Sequence, residues 1–203
     1  MKEKKVFLLL NGEKPKKIPN LSSYTVTCAT DGAYHFLKEN NISVDFISGD
    51  FDSIQQIPEN IEVIETPNQD LTDFDKILQI LFDKGLYNID VFGASGNEQD
   101  HFLGNLHSAI QWKKKLNLTF FDNHGYYFLA DKTTTIKNCK NNIISLVPFP
   151  KATNITSKGL RYQLNNETLV FGDRIGTRNT AEHHNIEISF TEGYLFIFIN
   201  HKN

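Results

Sequence analysis

The chain has 203 residues, enough for one large domain or two small ones, and an apolar fraction of 39% with 16 Phe supplies a core. Its 21 basic and 24 acidic residues leave a formal net charge of -3, which points to no nucleic-acid partner and no membrane partner. No run of about 18 apolar residues is present to span a bilayer, and two cysteines, Cys28 and Cys139, are too few for a disulfide framework and point to a reducing, cytoplasmic compartment.

The charged start and the apolar run Val6–Leu10 have the order of a signal peptide. The run is too short for one, however, and Asn11-Gly12 ends it, so Val6–Asn11 reads as a buried strand. Lys14, Lys16 and Lys17, with Pro15 and Pro19, read as a solvated connection. Tyr24–Ala29 is a second strand running into Thr30-Asp31-Gly32-Ala33, where an acid and small residues open a helix that lasts to Asn40. In open parallel sheets, ligands gather at such strand-to-helix turns.

Val44–Ile47 is a third strand, ending in Ser48-Gly49-Asp50-Phe51-Asp52-Ser53. Ile61–Glu65 alternates as a fourth, and a second acidic cluster follows at Asp70-Leu71-Thr72-Asp73-Phe74-Asp75. Two carboxylates about 5 Å apart at an effective dielectric near 20 repel by roughly 3 kcal/mol. Three together call for a cation or raised pKa values. Acids at the mouth of a sheet suit a hard ion such as Mg²⁺, which takes oxygen ligands and works on phosphates. Turn and helix-cap duty is the plainer account of the same residues.

Thr72–Lys84 is the clearest helix. Phe74, Ile77, Leu78 and Leu81 repeat at three and four, Thr72 caps it with Asp75 as capping-box partner, and Gly85 stops it. Asp70 and Asp73 fall in its lead-in and first turn, where the helix dipole favours negative charge, and Lys76 reaches either solvent or a phosphate. Ile89–Phe92 is a fifth strand and Gly93-Ala94-Ser95-Gly96-Asn97 a loop. Asp100-His101 opens a further helix with Leu103, Leu106 and Ile110 inward, and Leu118–Phe121 is a sixth strand.

After Asp122–Gly125 the character changes. Tyr126–Leu129, Thr133–Ile136, Ile143–Val147, Leu160–Gln163, Thr168–Phe171, Ile186–Phe190 and Tyr194–Asn200 are short strand-like runs, separated by turns such as Asn165-Asn166 and Glu192-Gly193. The fold class is α/β: a Rossmann-like domain with a mostly parallel sheet over residues 1–124, then an all-β sandwich over 125–203. His183-His184 looks like a metal pair, but adjacent strand residues face opposite ways, which argues against zinc.

Four segments together resemble the thiamine pyrophosphokinase family: Asp31-Gly32-Ala33, Gly49–Ser53, Gln69–Lys76, and Gly93–Gly96 leading to Asp100-His101 and Asn105. A fifth, Gly159-Leu160-Arg161-Tyr162 with Thr177-Arg178-Asn179-Thr180, is similar to the family's carboxy-terminal signature. The resemblance implies transfer of the pyrophosphoryl group of Mg-ATP to the hydroxyl of thiamine, releasing AMP, in a homodimer with active sites between subunits. Carried over by position, Asp50, Asp52 and Asp73 hold Mg²⁺, and these acids with Asp70 and Asp100 are the catalytic set. Asp31, Gly32, Gly49, Lys76, Gly93, Gly96, Asp100 and His101 belong to ATP and its phosphates. Gln69, Asp70, Tyr162, Asn179 and Thr180 belong to thiamine, which is cationic and flat and suits an aromatic face with a carboxylate.

Three positions depart from the family pattern. Asn97-Glu98-Gln99 stands where an Arg is usual, so the phosphate contact passes to another residue such as Lys76 or Arg178. Arg178 replaces a small Ser, and Tyr162 stands for Trp. Two rivals stay open: a Mg-dependent phosphohydrolase, because Asp-x-Asp after a strand also suits an aspartyl-phosphate nucleophile, and a non-catalytic nucleotide- or metal-binding module.

Overall fold

The backbone of this computed structural model is described over residues 4–51, 60–68 and 70–200, and it falls into two units, Met1–Asn123 and His124–Asn203. The calls on Asp52, Ser53 and Gln69 lie outside the described residues.

In the first unit six strands make one sheet: β1 (Lys5–Leu9), β2 (Val26–Thr30), β3 (Phe46–Gly49), β4 (Glu62–Glu65), β5 (Asn88–Phe92) and β6 (Asn117–Phe121). Their order is β4-β3-β2-β1-β5-β6, and every adjacent pair is parallel. Parallel strands are covered on both faces, which is why Val6–Leu10 is apolar without alternation and buried throughout. Phe7 and Leu9 share one core with Ala33 and Leu37 of α1 (Asp31–Glu39). On the sheet's other face Phe74 of α2 (Asp73–Asp83) meets Phe120 edge to face, with ring centroids 6.0 Å apart. The chain builds outward one way from β1 to β4, then returns to add β5 and β6 on the other side. Connections therefore diverge between β1 and β5, and a crevice opens there at the carboxyl ends of the strands.

Helix α2 ends as its sequence signals direct. Thr72 is the N-cap and accepts from the Asp75 N–H at 3.1 Å, and Gly85 follows with φ 71°. The reciprocal half of the capping box differs: the Asp75 carboxylate accepts from the Thr72 hydroxyl (2.8 Å) and from the Trp112 indole N–H (3.3 Å). It thus ties α2 to α3 (Gln99–Trp112). In α3 the buried face is Leu106, Ser108, Ala109 and Trp112; Leu103, expected inward, is 52% exposed.

The second unit is all β, with β7 (Gly125–Leu129), β8 (Thr133–Ile136), β9 (Ile143–Lys158), β10 (Glu167–Val170), β11 (Gly176–Thr180), β12 (Ile186–Ser189) and β13 (Glu192–Asn200). The 16-residue β9 pairs antiparallel with β13, β10 and β11, and its end pairs with β12, which carries β8. Two layers therefore share one strand and enclose a core of residues such as Ile144, Leu146, Ile155, Leu169, Ile188 and Ile197, as a sandwich does.

Three expectations change here. The strand expected at 143–147 continues to Lys158, through Pro148 and Pro150. Leu160–Gln163 is not a strand: Leu160 makes one isolated bridge to Ala181. Glu192-Gly193, expected as a turn, lies inside β13 beside a register shift. Cys28 and Cys139 are both free and buried, and no helix is long and apolar enough to cross a membrane among the described residues.

Candidate functional site

A cavity of about 720 Å³, within the usual size of a ligand site, opens at the divergence of β1 and β5. It is lined by the segment after β1 (Leu10–Gly12), the start of α1 (Asp31, Gly32), Asp50 after β3, the first turn of α2, and the loop after β5 with the start of α3. The loops of β1 and β5 are zipped together. Leu10 N–H donates to Phe92 O, Gly12 N–H to Gly93 O and Glu13 N–H to Ser95 O, each at 2.8 Å. Gly93 stands at φ 68°, and a Cβ there would lie 2.3 Å from Leu10 O, so only glycine lets the two loops close.

Asp31 is the first residue of α1 and is buried. One carboxylate oxygen accepts from the Gly32 N–H (2.6 Å), the other from the Phe51 N–H (3.0 Å). A Cβ on Gly49 would stand 2.3 Å from the Asp31 carboxyl carbon, which is the reason a glycine closes β3. Burial pushes the Asp31 pKa above the ordinary carboxylate value. The two N–H donors pull it back in part, and the charges of Asp73 and Asp50 push it further up. Phe51 holds φ 61° with its ring in the core, a conformation costing of order 1–3 kcal/mol in a non-glycine residue. That turn aims Asp50 at the cavity.

Asp73 begins α2 and accepts from the buried Lys76 ammonium at 3.1 Å. Asp100 lies in the first turn of α3, accepts from the His101 N–H at 2.9 Å, and lines the cavity with His101. Asn105 of α3 donates to Ala94 O at 2.8 Å and holds the glycine loop against the helix. Nine sequence-predicted residues thus line one cavity: Asp31, Gly32, Asp50, Asp73, Lys76, Gly93, Gly96, Asp100 and His101. Gly49 abuts Asp31 without lining it. Asp70 is exposed and outside the lining; its N–H donates to Asn68 Oδ1 at 2.8 Å. Asn11 and Gly12, read from sequence only as a strand end, line the cavity too.

In the second unit Tyr162, Asn179 and Thr180 come together. Asn179 Oδ1 accepts from the N–H groups of Tyr162 (3.1 Å) and Thr180 (2.8 Å), and its amide donates to Tyr162 O at 2.7 Å. The Tyr162 ring is left 70% exposed. Arg178 is held at φ 57° with its N–H on Ser145 Oγ at 3.0 Å.

Known proteins match this chain in sequence and in fold over most of its length. Residues 19–120 match the family model described as thiamin pyrophosphokinase, catalytic domain, and residues 133–195 match thiamin pyrophosphokinase, vitamin B1 binding domain. The chain is 29% identical to a Bacillus subtilis protein named thiamine pyrophosphokinase, over 95% of this chain and 97% of that one. It is also 29% identical to a Caenorhabditis elegans protein named thiamin pyrophosphokinase 1, over 94% and 87% of the two chains. The crystal structure of thiamine pyrophosphokinase from Bacillus subtilis superposes with a TM-score of 0.85 at 25% identity, covering 98% of this chain and 100% of that one. Family models, sequence and fold agree: the chain belongs to the thiamin pyrophosphokinase family.

Proposed function

We propose that this enzyme transfers the pyrophosphoryl group of ATP to the hydroxyl of thiamine, giving thiamine diphosphate and AMP. The observation that carries the reading is one cavity where two zipped glycine loops and the carboxylates of Asp31, Asp50, Asp73 and Asp100 meet at the carboxyl ends of a parallel sheet. The all-parallel order with its divergence between β1 and β5 supports reading the first unit, residues 1–124, as a Rossmann-like nucleotide domain. Residues 125–203 are then the thiamine-binding and dimerisation domain.

In this reaction the thiamine hydroxyl oxygen bonds to the β-phosphorus, the bond from that phosphorus to the α,β-bridging oxygen breaks, and AMP leaves with the oxygen. The hydroxyl proton passes to a nearby carboxylate. Such transfers need alignment and charge neutralisation more than covalent help. Gly32, Gly93 and Gly96 allow the backbone to approach phosphates, with Lys76, Asp100 and His101 beside them, and Gly49 serves the same end by making room for the Asp31 carboxylate. Gln69 and Asp70 are assigned to thiamine and its hydroxyl, and Tyr162, Asn179 and Thr180 to the pocket for its rings. The exposed faces of Tyr162, Phe171 and Ile175 support a homodimer, because aromatic surface is enriched at subunit contacts. Two buried free thiols suit a cytoplasmic setting.

Asp50 and Asp73, with Asp52, are the residues proposed to hold Mg²⁺. The donor chemistry fits: carboxylate oxygens are hard ligands, and Asp31 senses the charges of both Asp50 and Asp73 across the cavity. Among the described residues no group of three His, Cys, Asp or Glu could by itself hold a metal ion, so the site as proposed needs Asp52 or the nucleotide's own oxygens. Bound there, the ion supplies charge neutralisation at the phosphates.

The test is direct. Incubated with thiamine, ATP and magnesium, the protein is expected to form AMP and thiamine diphosphate in equal amounts. Release of only ADP or phosphate would overturn the assignment in favour of a phosphohydrolase, and ligand binding without turnover in favour of a binding module.

A further inference from the structure

The cavity has a charge imbalance. Its described lining carries five carboxylates, Asp31, Asp50, Asp73, Glu98 and Asp100, against one lysine, Lys76, which is already bonded to Asp73. No arginine lines it among the described residues. A nucleoside triphosphate adds several more negative charges, so cation beyond Mg²⁺ is needed at its phosphates.

One candidate lies outside that lining but is bonded to two residues of it. Lys14 follows β1, and its ammonium donates to Leu10 O at 3.2 Å and Asn11 Oδ1 at 3.0 Å, both on residues that line the cavity. These are neutral acceptors. No carboxylate pairs with Lys14 among the described residues, and an ammonium has three protons to give, so one is left. The side chain is half-buried, and desolvation holds its pKa below that of an ordinary lysine. A partly desolvated cation without an anion is a position that binding of an anion relieves.

The mounting is built rather than loose. Asn123 accepts from the Lys16 N–H at 2.8 Å and donates to Lys14 O at 3.2 Å, which pins the loop on both sides. Asn11 joins three elements. It follows β1, its carbonyl accepts from the Asn97 amide at 3.1 Å, and its own amide nitrogen abuts Gly32 so closely that a Cβ there would lie 2.7 Å away. Lys14 therefore rides on the loop framework that borders the cavity.

We propose that Lys14 is a nucleotide-binding residue, its ammonium turning from Leu10 O and Asn11 Oδ1 onto the polyphosphate of ATP. The proposal rests on the reading of this cavity as the nucleotide site. It gives a lysine read from sequence as part of a solvated connection the phosphate contact expected of a residue such as Lys76, which is bonded to Asp73, or Arg178.

The test uses the full chain. Lys14→Met keeps the apolar stem and removes the charge, Lys14→Gln replaces it where the apolar change alters the melting temperature, and Lys14→Arg restores the cation. Calorimetry measures binding of ATP with magnesium and of adenosine, beside steady-state kinetics. Loss of a charged hydrogen bond is expected to weaken ATP binding and raise its KM about ten-fold, with adenosine binding and the KM for thiamine unchanged, and with recovery in Lys14→Arg. Equal weakening for ATP and adenosine would mark a structural role and overturn the proposal, and so would unchanged ATP affinity. If ATP binds through Lys14 yet no thiamine diphosphate forms, the kinase reading fails and the Lys14 assignment stands.

Discussion

At the scale of single residues, Asp31 and Asp50 carry opposite burdens. Asp31 is buried and pinned by two backbone donors, whereas Asp50 is exposed at the cavity. The raised pKa of Asp31 means that the folded state holds its proton more tightly than the unfolded chain. Its contribution to stability is therefore present at low pH and is lost as pH rises through the folded-state value. Asp50→Asn removes one of the charges that raise that value. The metal-free variant is expected to be as stable as the parent at neutral pH or slightly more so, by less than about 1 kcal/mol because Asp50 faces solvent, with the difference closing under acid where both carboxyls are protonated. Turnover is expected to fall by at least about a hundred-fold if Asp50 grips the ion at the phosphates. Thermal melts across pH beside the product assay check both halves. A large loss of stability would instead give Asp50 a structural role.

At the scale of elements, the zipped loops after β1 and β5 make a sharper demand. A Cβ on Gly12 would stand 2.3 Å from Gly93 O and 2.6 Å from Ser95 O, both backbone atoms that cannot rotate away. Gly12→Ala is expected to cost about 1–3 kcal/mol in chemical denaturation and to weaken nucleotide binding, since the displaced loop is the one that lines the cavity. This contact was invisible in the sequence, where Asn11-Gly12 marks only the end of a strand; it exists because the order of strands sets β1 beside β5. Helix α2 was legible because Phe74, Ile77, Leu78 and Leu81 all face one core. Leu103 of α3 misled because spacing assigns a residue to a stripe without saying what covers it. β11 escaped notice because Gly-Thr-Arg-Asn-Thr has no apolar alternation to mark it as a strand beside β9. Asp50 and Asp73 are legible because acids clustered at the mouth of a sheet make poor core, and Asp100 through the family resemblance, while Glu98, Lys14 and Asn11 carry no such signal alone.

At the scale of the whole molecule, the two units have separate cores, and their chemistry is divided as their sequences are. Carboxylates and glycine loops belong to the first, and the bonded set of Tyr162, Asn179 and Thr180 to the second. Within the second unit β9 is partner to β10, β11, β12 and β13. A strand with that many dependants leaves little room for partial order. As denaturant rises, amide exchange along 143–158 is expected to accelerate together with exchange in β13, in a single step. Exchange that opened the β9–β12 pairing well before the β9–β13 pairing would contradict this. Where four neighbours lean on one spine, there is no gentle way for the second unit to wear out: damage to that spine removes the whole unit at once, and a cell would meet such lesions as missing protein rather than as sluggish enzyme.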